Sequence, residues 1–138
     1  SIMASFNVSI LFETPPKFHM QSQHKKIDNT YSLGYIFSMY SIYTTEVFDG
    51  WFDKLKDQQA KRRIQVRIDR VEDGNFGDTE PVGEGVSELR FFFGPGYRIY
   101  YCKQGQRIII LLAGGDKTTQ SKDIKQALQL AKDLEEEL

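Results

Sequence analysis

The sequence predicts an α+β fold: two N-terminal helices packed on a four-stranded, mostly antiparallel sheet, with a C-terminal helix. Three observations carry that prediction. Between Val86 and Lys117, three runs rich in Val, Ile, Tyr and Phe are split by Gly94-Pro95-Gly96 and Gln104-Gly105-Gln106. Branched and aromatic side chains suit a pleated surface and Gly and Pro mark turns, so this is a three-stranded meander. Upstream, two stretches repeat their apolar residues at helical spacing: Phe48, Trp51, Phe52 and Leu55, then Ala60, Ile64, Ile68 and Val71. Downstream, Ile124, Ala127, Leu128, Ala131 and Leu134 form a third stripe.

In chain order, residues 1–38 are expected to lie outside the core, as an extension ahead of a start at Met39. Phe6, Val8, Ile10 and Phe12 alternate, and an added edge strand is the competing reading; Pro15-Pro16 would stop it, since proline cannot donate to a ladder. Residues 39–138 form the single domain. Tyr40 to Phe48 reads as the first strand, and the first helix follows, with Asp49 near its positive end. The second helix runs from about Gln58 to Glu72 and stops at Asp73-Gly74-Asn75, where glycine is the natural terminator. Phe76 to Gly85, with three glycines and a proline, reads as a loop. Gly114-Gly115 turns the chain after the meander, and Thr118 or Thr119 caps the last helix.

The chain has 138 residues and a formal net charge of −1, so total charge does not announce a nucleic-acid partner. Its distribution says more. Seven cations and two acids fall between Lys54 and Arg70, whereas Asp133–Leu138 carries four acids and no base. The lone Cys102 lies in a strand pattern and reads as a small buried hydrophobe. No apolar run is long enough to span a bilayer and no signal-peptide pattern opens the chain, so a cytoplasmic protein without a membrane partner is expected.

Several chemistries find no support. His19 and His24 are the two histidines, both ahead of Met39, and their spacing of five does not suit a helical metal pair. No phosphate-binding glycine loop is present, and no carboxylate pair is set for acid–base work. Neither a metal nor a cofactor is expected. The remaining chemistry is cationic. Arg90 and Arg98 lie in successive strands and Lys117 just beyond the third. Such fixed cations can stabilise the charge that develops on a phosphodiester in its transition state. In RNA the 2′-hydroxyl is a built-in nucleophile. Arg98 has an equal claim as a structural partner of Glu88. Arg90 shares a face with Glu88, and Lys117 occupies a turn where packing does not call for a lysine. The second helix presents Lys61, Arg62, Arg63, Arg67 and Arg70, which read first as a solvated face and second as an RNA- or ribosome-binding one. Tyr97, Tyr100, Tyr101 and Phe91 to Phe93 read as core or partner-facing; base stacking by one of them is the alternative, and the sequence singles none out.

The segments Gly74-Asn75-Phe76-Gly77-Asp78, Glu88-Leu89-Arg90, Gly94-Pro95-Gly96-Tyr97-Arg98-Ile99-Tyr100-Tyr101 and Leu111-Leu112-Ala113-Gly114-Gly115-Asp116-Lys117 resemble those of addiction-module killer proteins. These belong to the RelE/ParE toxin superfamily, in its HigB-like, phage-related branch. The resemblance covers about Met39 to Leu134. It implies a RelE-like fold and the toxin of a type II toxin–antitoxin system: an mRNA interferase, a metal-independent endoribonuclease acting in the ribosome. Its implied partners are a helix-turn-helix antitoxin, the ribosome and mRNA. Leu89-Arg90 matches the strand arginine that contacts the scissile phosphate, Gly96-Tyr97-Arg98 the family's Gly-Tyr-Arg, and Lys117 a basic residue after the last strand. RelE also has a C-terminal tyrosine for proton transfer, whereas residues 118–138 here contain neither Tyr nor His. The general base is therefore unassigned: Lys117 or Asp116 would serve, or cleavage would be slow or would rely on the ribosome for orientation. ParE relatives keep the fold and inhibit DNA gyrase without chemistry of their own, which is the alternative reading; an inactive toxin remnant is a third.

Overall fold

The computed structural model of the chain describes residues 39–137, so the expected extension at 1–38 lies outside the described residues. The elements are β1 (Ser41–Thr44), α1 (Glu46–Lys54), α2 (Gln58–Glu72), β2 (Thr79–Gly83), β3 (Val86–Arg90), β4 (Arg98–Gln104), β5 (Ile108–Gly115), a 3₁₀ turn (Lys117–Thr119) and α3 (Gln120–Glu137). The strands form one sheet in the order β1-β5-β4-β3-β2. Only β1 and β5 pair in parallel; the other three pairings are antiparallel.

Helices cover both faces of this sheet. Phe48 of α1 and Ala60, Ile64, Ile68 and Val71 of α2 pack with Ile42, Leu89, Ile99, Tyr101, Ile109 and Leu111. On the opposite face Ala127, Leu130 and Leu134 of α3 pack with Val86, Tyr100, Ile110, Leu112 and Ala113. The sheet is therefore the middle layer of three, which is why β4 and β5 read as nearly continuous apolar runs. A register shift between Tyr100 and Tyr101 opposite β5 makes room for Leu112, so that Leu112 and Ala113 both join the α3 side.

The fold departs from the sequence prediction in three places. The sheet has five strands rather than four, because Thr79–Gly83, within the stretch expected to be a loop, is the edge strand β2. Its glycines and proline punctuate a hairpin. Glu84 and Gly85 take φ of 48° and 82°, the positive pair of a two-residue turn, and Pro81 sits beside a register shift on an edge where its missing N–H is tolerated. Second, β1 ends at Thr44, well short of Phe48. Thr45 is fully buried; its hydroxyl donates to the Leu112 carbonyl at 2.6 Å and accepts from the Phe48 amide at 3.1 Å. It thus caps α1 while tying that helix to β5.

Third, Gly114-Gly115 ends β5 instead of turning the chain. A Cβ on Gly114 would collide with the Trp51 ring, and one on Gly115 with the Asp123 carboxylate. The paired glycines let α1 and α3 approach the strand from opposite faces. The 3₁₀ turn between β5 and α3 is capped by Asp116, and Thr119 immediately precedes Gln120, the first residue of α3. The Asp116 carboxylate accepts from the Thr118 amide at 2.8 Å, and the Thr119 hydroxyl accepts from the Asp116 amide at 3.2 Å. The α2 bounds agree with the sequence prediction, with Asp57 as the cap accepting from the Gln59 and Ala60 amides.

Candidate phosphate-binding site

The sheet register gathers the strand cations at one end. Arg90, the last residue of β3, lies opposite Arg98, the first of β4, and Arg98 lies opposite Gly115 at the end of β5. Adjacent strands are roughly 4.8 Å apart, so the row from Arg90 to Gly115 is about 10 Å wide. The connection from β3 to β4 folds back at this end. Phe91 donates to the Tyr97 carbonyl at 3.1 Å and Gly96 to the Phe93 carbonyl at 3.1 Å. The Lys117 amide reaches the Pro95 carbonyl at 3.4 Å, and the Lys117 side chain crosses the bare face of Gly96. Lys117 Cβ and Arg98 Nη1 come within 3.4 and 3.5 Å of the point where a Gly96 Cβ would stand.

These three cations differ in availability. Lys117 is exposed. The Arg90 side chain is 31% exposed, and its guanidinium pairs with Asp78 at 2.9 Å and Glu80 at 3.5 Å. The hydrogen bonds Arg90 donates to the Asp78 carboxylate are the main cause holding it more firmly charged than usual. Its carboxylate partners come from β2 and the residue before it, rather than from Glu88. Arg98 is only 6% exposed. Its Nη1 donates to the Gly96 and Tyr97 carbonyls at 3.0 and 3.1 Å, and its Nε stands 4.0 Å from Glu88 Oε1. Glu88 is itself buried and accepts from Gln120 Nε2 at 2.9 Å. Of the two readings open for Arg98, this environment fits the structural one: it braces the turn beneath Lys117.

The α2 cations are also unequal. Arg67 is half-buried and donates to the carbonyls of Phe76, Arg90 and Asp78 at 2.9, 2.9 and 2.7 Å. Burial is the main cause lowering its pKa. It staples the segment before β2 to the end of β3, a role its helical spacing alone did not reveal. Lys61 lies over the Phe52 ring at 5.2 Å, and Arg63 over Phe93 at 4.5 Å. Arg62 and Arg70 are exposed and pair with no acid among the described residues.

Five of these arginines line a groove of about 560 Å³. Arg62, Arg63, Arg67, Arg70 and Arg90 contribute five guanidiniums against one carboxylate, Asp78, and Phe91, Phe92 and Phe93 form the other wall. The groove is thus a cationic, aromatic-walled slot continuous with Arg90. Asp78 and Phe92 were not singled out by sequence reasoning. Asp78 stands in the segment expected to be a loop, and Phe92 is the middle of an apolar triplet whose three members take different environments.

Proton acceptors are scarce here. Asp116, adjacent to Lys117, is held below the usual carboxylate range, mainly by the Thr118 hydroxyl that donates to it at 2.6 Å. A carboxylate engaged in this way is a weak base. Tyr97 and Tyr100, on either side of Arg98 in the chain, have their phenols pushed above the ordinary value, chiefly by burial. Burial also pushes the Cys102 thiol up to about 11, in keeping with a packed rather than a reactive thiol. Among the described residues no cluster of three His, Cys, Asp or Glu could hold a metal ion, and no helix is long and apolar enough to cross a membrane.

Residues 50–136 match the family model described as Phage derived protein Gp49-like (DUF891). An uncharacterized protein of Haemophilus influenzae (strain ATCC 51907 / DSM 11121 / KW20 / Rd) is 53% identical over 93 residues, which cover 67% of this chain and 94% of the relative.

Proposed function

The chain belongs to the Gp49-like family of phage-derived proteins, and from that premise we propose that it is the toxin of a toxin–antitoxin pair, a ribosome-dependent endoribonuclease that cuts mRNA without a metal. The observation that carries this reading is the placement of Arg90 and Lys117 at the same end of the sheet, on either side of the braced Arg98. That end adjoins a groove with five arginines and one acid. The arrangement suits a ribose–phosphate link. Attack by the 2′-hydroxyl forms the O2′–P bond and breaks the P–O5′ bond, giving a 2′,3′-cyclic phosphate and a free 5′-hydroxyl. Arg90 stabilises the charge on the non-bridging oxygens, where a preformed donor is most effective. Lys117, the more exposed cation, donates toward the departing O5′. Arg98 acts through the turn it braces. Lys61, Arg62, Arg63 and Arg70 hold flanking RNA, and Arg67 shapes their platform. The acceptor of the 2′-hydroxyl proton comes from the ribosome or from solvent, consistent with activity that depends on the ribosome.

Primer-extension mapping of transcripts after induction tests this. Arg90→Ala is expected to reduce cleavage roughly 100-fold or more, the usual effect of losing one such donor, and to relieve growth inhibition. Its fold should persist by circular dichroism, because an ion pair so open to solvent contributes little to stability. Lys117→Ala should show the same pattern. Cuts persisting at the wild-type rate in both variants would rule the assignment out.

One observation favours a second reading. Residues 39–137 contain no histidine, Asp116 is engaged as a cap, and Asp78 and Glu80 are paired with Arg90, so each nearby carboxylate is already engaged. A non-enzymatic inhibitor of DNA gyrase would need no proton acceptor. Inhibited supercoiling with DNA-damage signalling and no transcript cuts would select it. In either reading a helix-turn-helix antitoxin is the expected partner, and its co-expression should restore growth.

A further inference from the structure

We propose that the groove between α2 and the Phe91–Phe93 segment is a single-strand RNA site, in which one unpaired base stacks on Phe92 and Arg62 and Arg70 hold the adjoining phosphates. This deepens the reading of RNA as the target and rests on it.

The three phenylalanines follow one another yet have separate fates. Phe91 is buried with Arg67 over its ring at 4.8 Å, and Phe93 is half-buried under Arg63 at 4.5 Å. Phe92 is 78% exposed, with the Arg90 guanidinium 6.0 Å from its centroid. A large apolar ring held in water gains nothing for the fold. Beside a row of cations it has the features of a stacking platform, because every base offers a π-face and every linkage a phosphate. Arg62 and Arg70 face the same groove from positions about two turns apart on α2 and have no acid to neutralise them among the described residues. Arg63 and Arg67 are already engaged with rings or carbonyls and line the floor.

Two alternatives fit less well. A duplex keeps its bases stacked inside and would leave Phe92 unused. An amphipathic protein helix needs a continuous apolar trough, but the large exposed apolar side chains of this groove are Val66 and Phe92 alone. The excess of five guanidiniums over one carboxylate favours a polyanion with bases over a protein segment.

Fluorescence anisotropy of the purified full chain with a labelled 2′-O-methyl decanucleotide, alone and as a duplex, tests the proposal. Such a strand cannot be cut, because its 2′-oxygen is blocked, so binding is read apart from cleavage. The single strand is expected to bind more tightly than the duplex. Phe92→Ala should weaken it roughly 5- to 100-fold, as losing one stacked base does, while Phe92→Tyr keeps the affinity. Arg62→Ala should lower the slope of log affinity against log salt by about 0.7, one phosphate contact to a single strand. Equal binding of strand and duplex, or unchanged affinity in Phe92→Ala, would overturn the inference. If Phe92→Ala leaves RNA binding intact and instead abolishes capture of a co-expressed antitoxin, the groove is a protein site and the inference falls. Strand binding that depends on Phe92 in a protein that leaves transcripts intact would count against the nuclease reading alone.

Discussion

Arg62 and Arg67 lie on one helix and carry the same formal charge, but their neighbours give them different roles. Arg67 joins three carbonyls contributed by Phe76, Asp78 and Arg90, whereas Arg62 projects into solvent at the groove. Removing Arg67 takes a donor from each of those carbonyls at a half-buried junction, where the Asp78 carbonyl keeps the Arg90 amide. A hydrogen bond to a charged group contributes about 1.5–3 kcal/mol net, and water reaching the half-buried junction offsets part of its loss. Arg67→Ala is therefore expected to destabilise the fold by about 2 kcal/mol, and Arg62→Ala by less than about 0.5 kcal/mol. Urea denaturation of the two variants checks this, and equal midpoints would show that the staple is energetically idle. The sequence placed Arg63, Arg67 and Arg70 on one side of a helix correctly. It could not rank them, because Arg67's partners are backbone groups 9 to 23 residues away. Arg98 illustrates the opposite case: its pairing with Glu88 was one of two readings open from the sequence, and the 4.0 Å approach agrees with it.

At the scale of elements, amphipathic helices were the most legible feature. The α2 stripe of Ala60, Ile64, Ile68 and Val71 is buried as its spacing demanded, since a helix of this composition is held mainly by packing of one face. Strand limits were less legible. β1 and α1 share a run of branched and aromatic residues, and only the Thr45 hydroxyl, shared between the Phe48 amide and Leu112 carbonyl, decides where one ends. β2 was hidden because glycine and proline mark loops and edge hairpins alike. The paired glycines of β5 give an element-scale prediction. Gly114→Ala must push against Trp51 and is expected to cost about 1–3 kcal/mol through overpacking. Gly50→Ala, in α1 with open space around it, should instead stabilise by roughly 0.5–1 kcal/mol from helix propensity. Thermal melts of both variants would read the opposite signs. A neutral Gly114→Ala would mean that α1 can lift from β5 without penalty.

For the whole molecule, both hydrophobic clusters draw their described members from Tyr40 onward. A chain beginning at Met39 is accordingly expected to keep one cooperative unfolding transition within a few degrees of the full chain, as measured by calorimetry; loss of cooperativity would place part of the core in residues 1–38. The sequence by itself determined the α+β class, the helical faces, the meander and the store of cations, because each depends on local periodicity and on turn residues near in the chain. The tertiary structure alone decided that β1 runs parallel to β5, that α3 covers the face opposite α1 and α2, and that Phe92 turns outward beside Arg90. Those outcomes depend on which distant groups meet across the sheet, and pairing between residues tens of positions apart leaves no periodic trace in the chain.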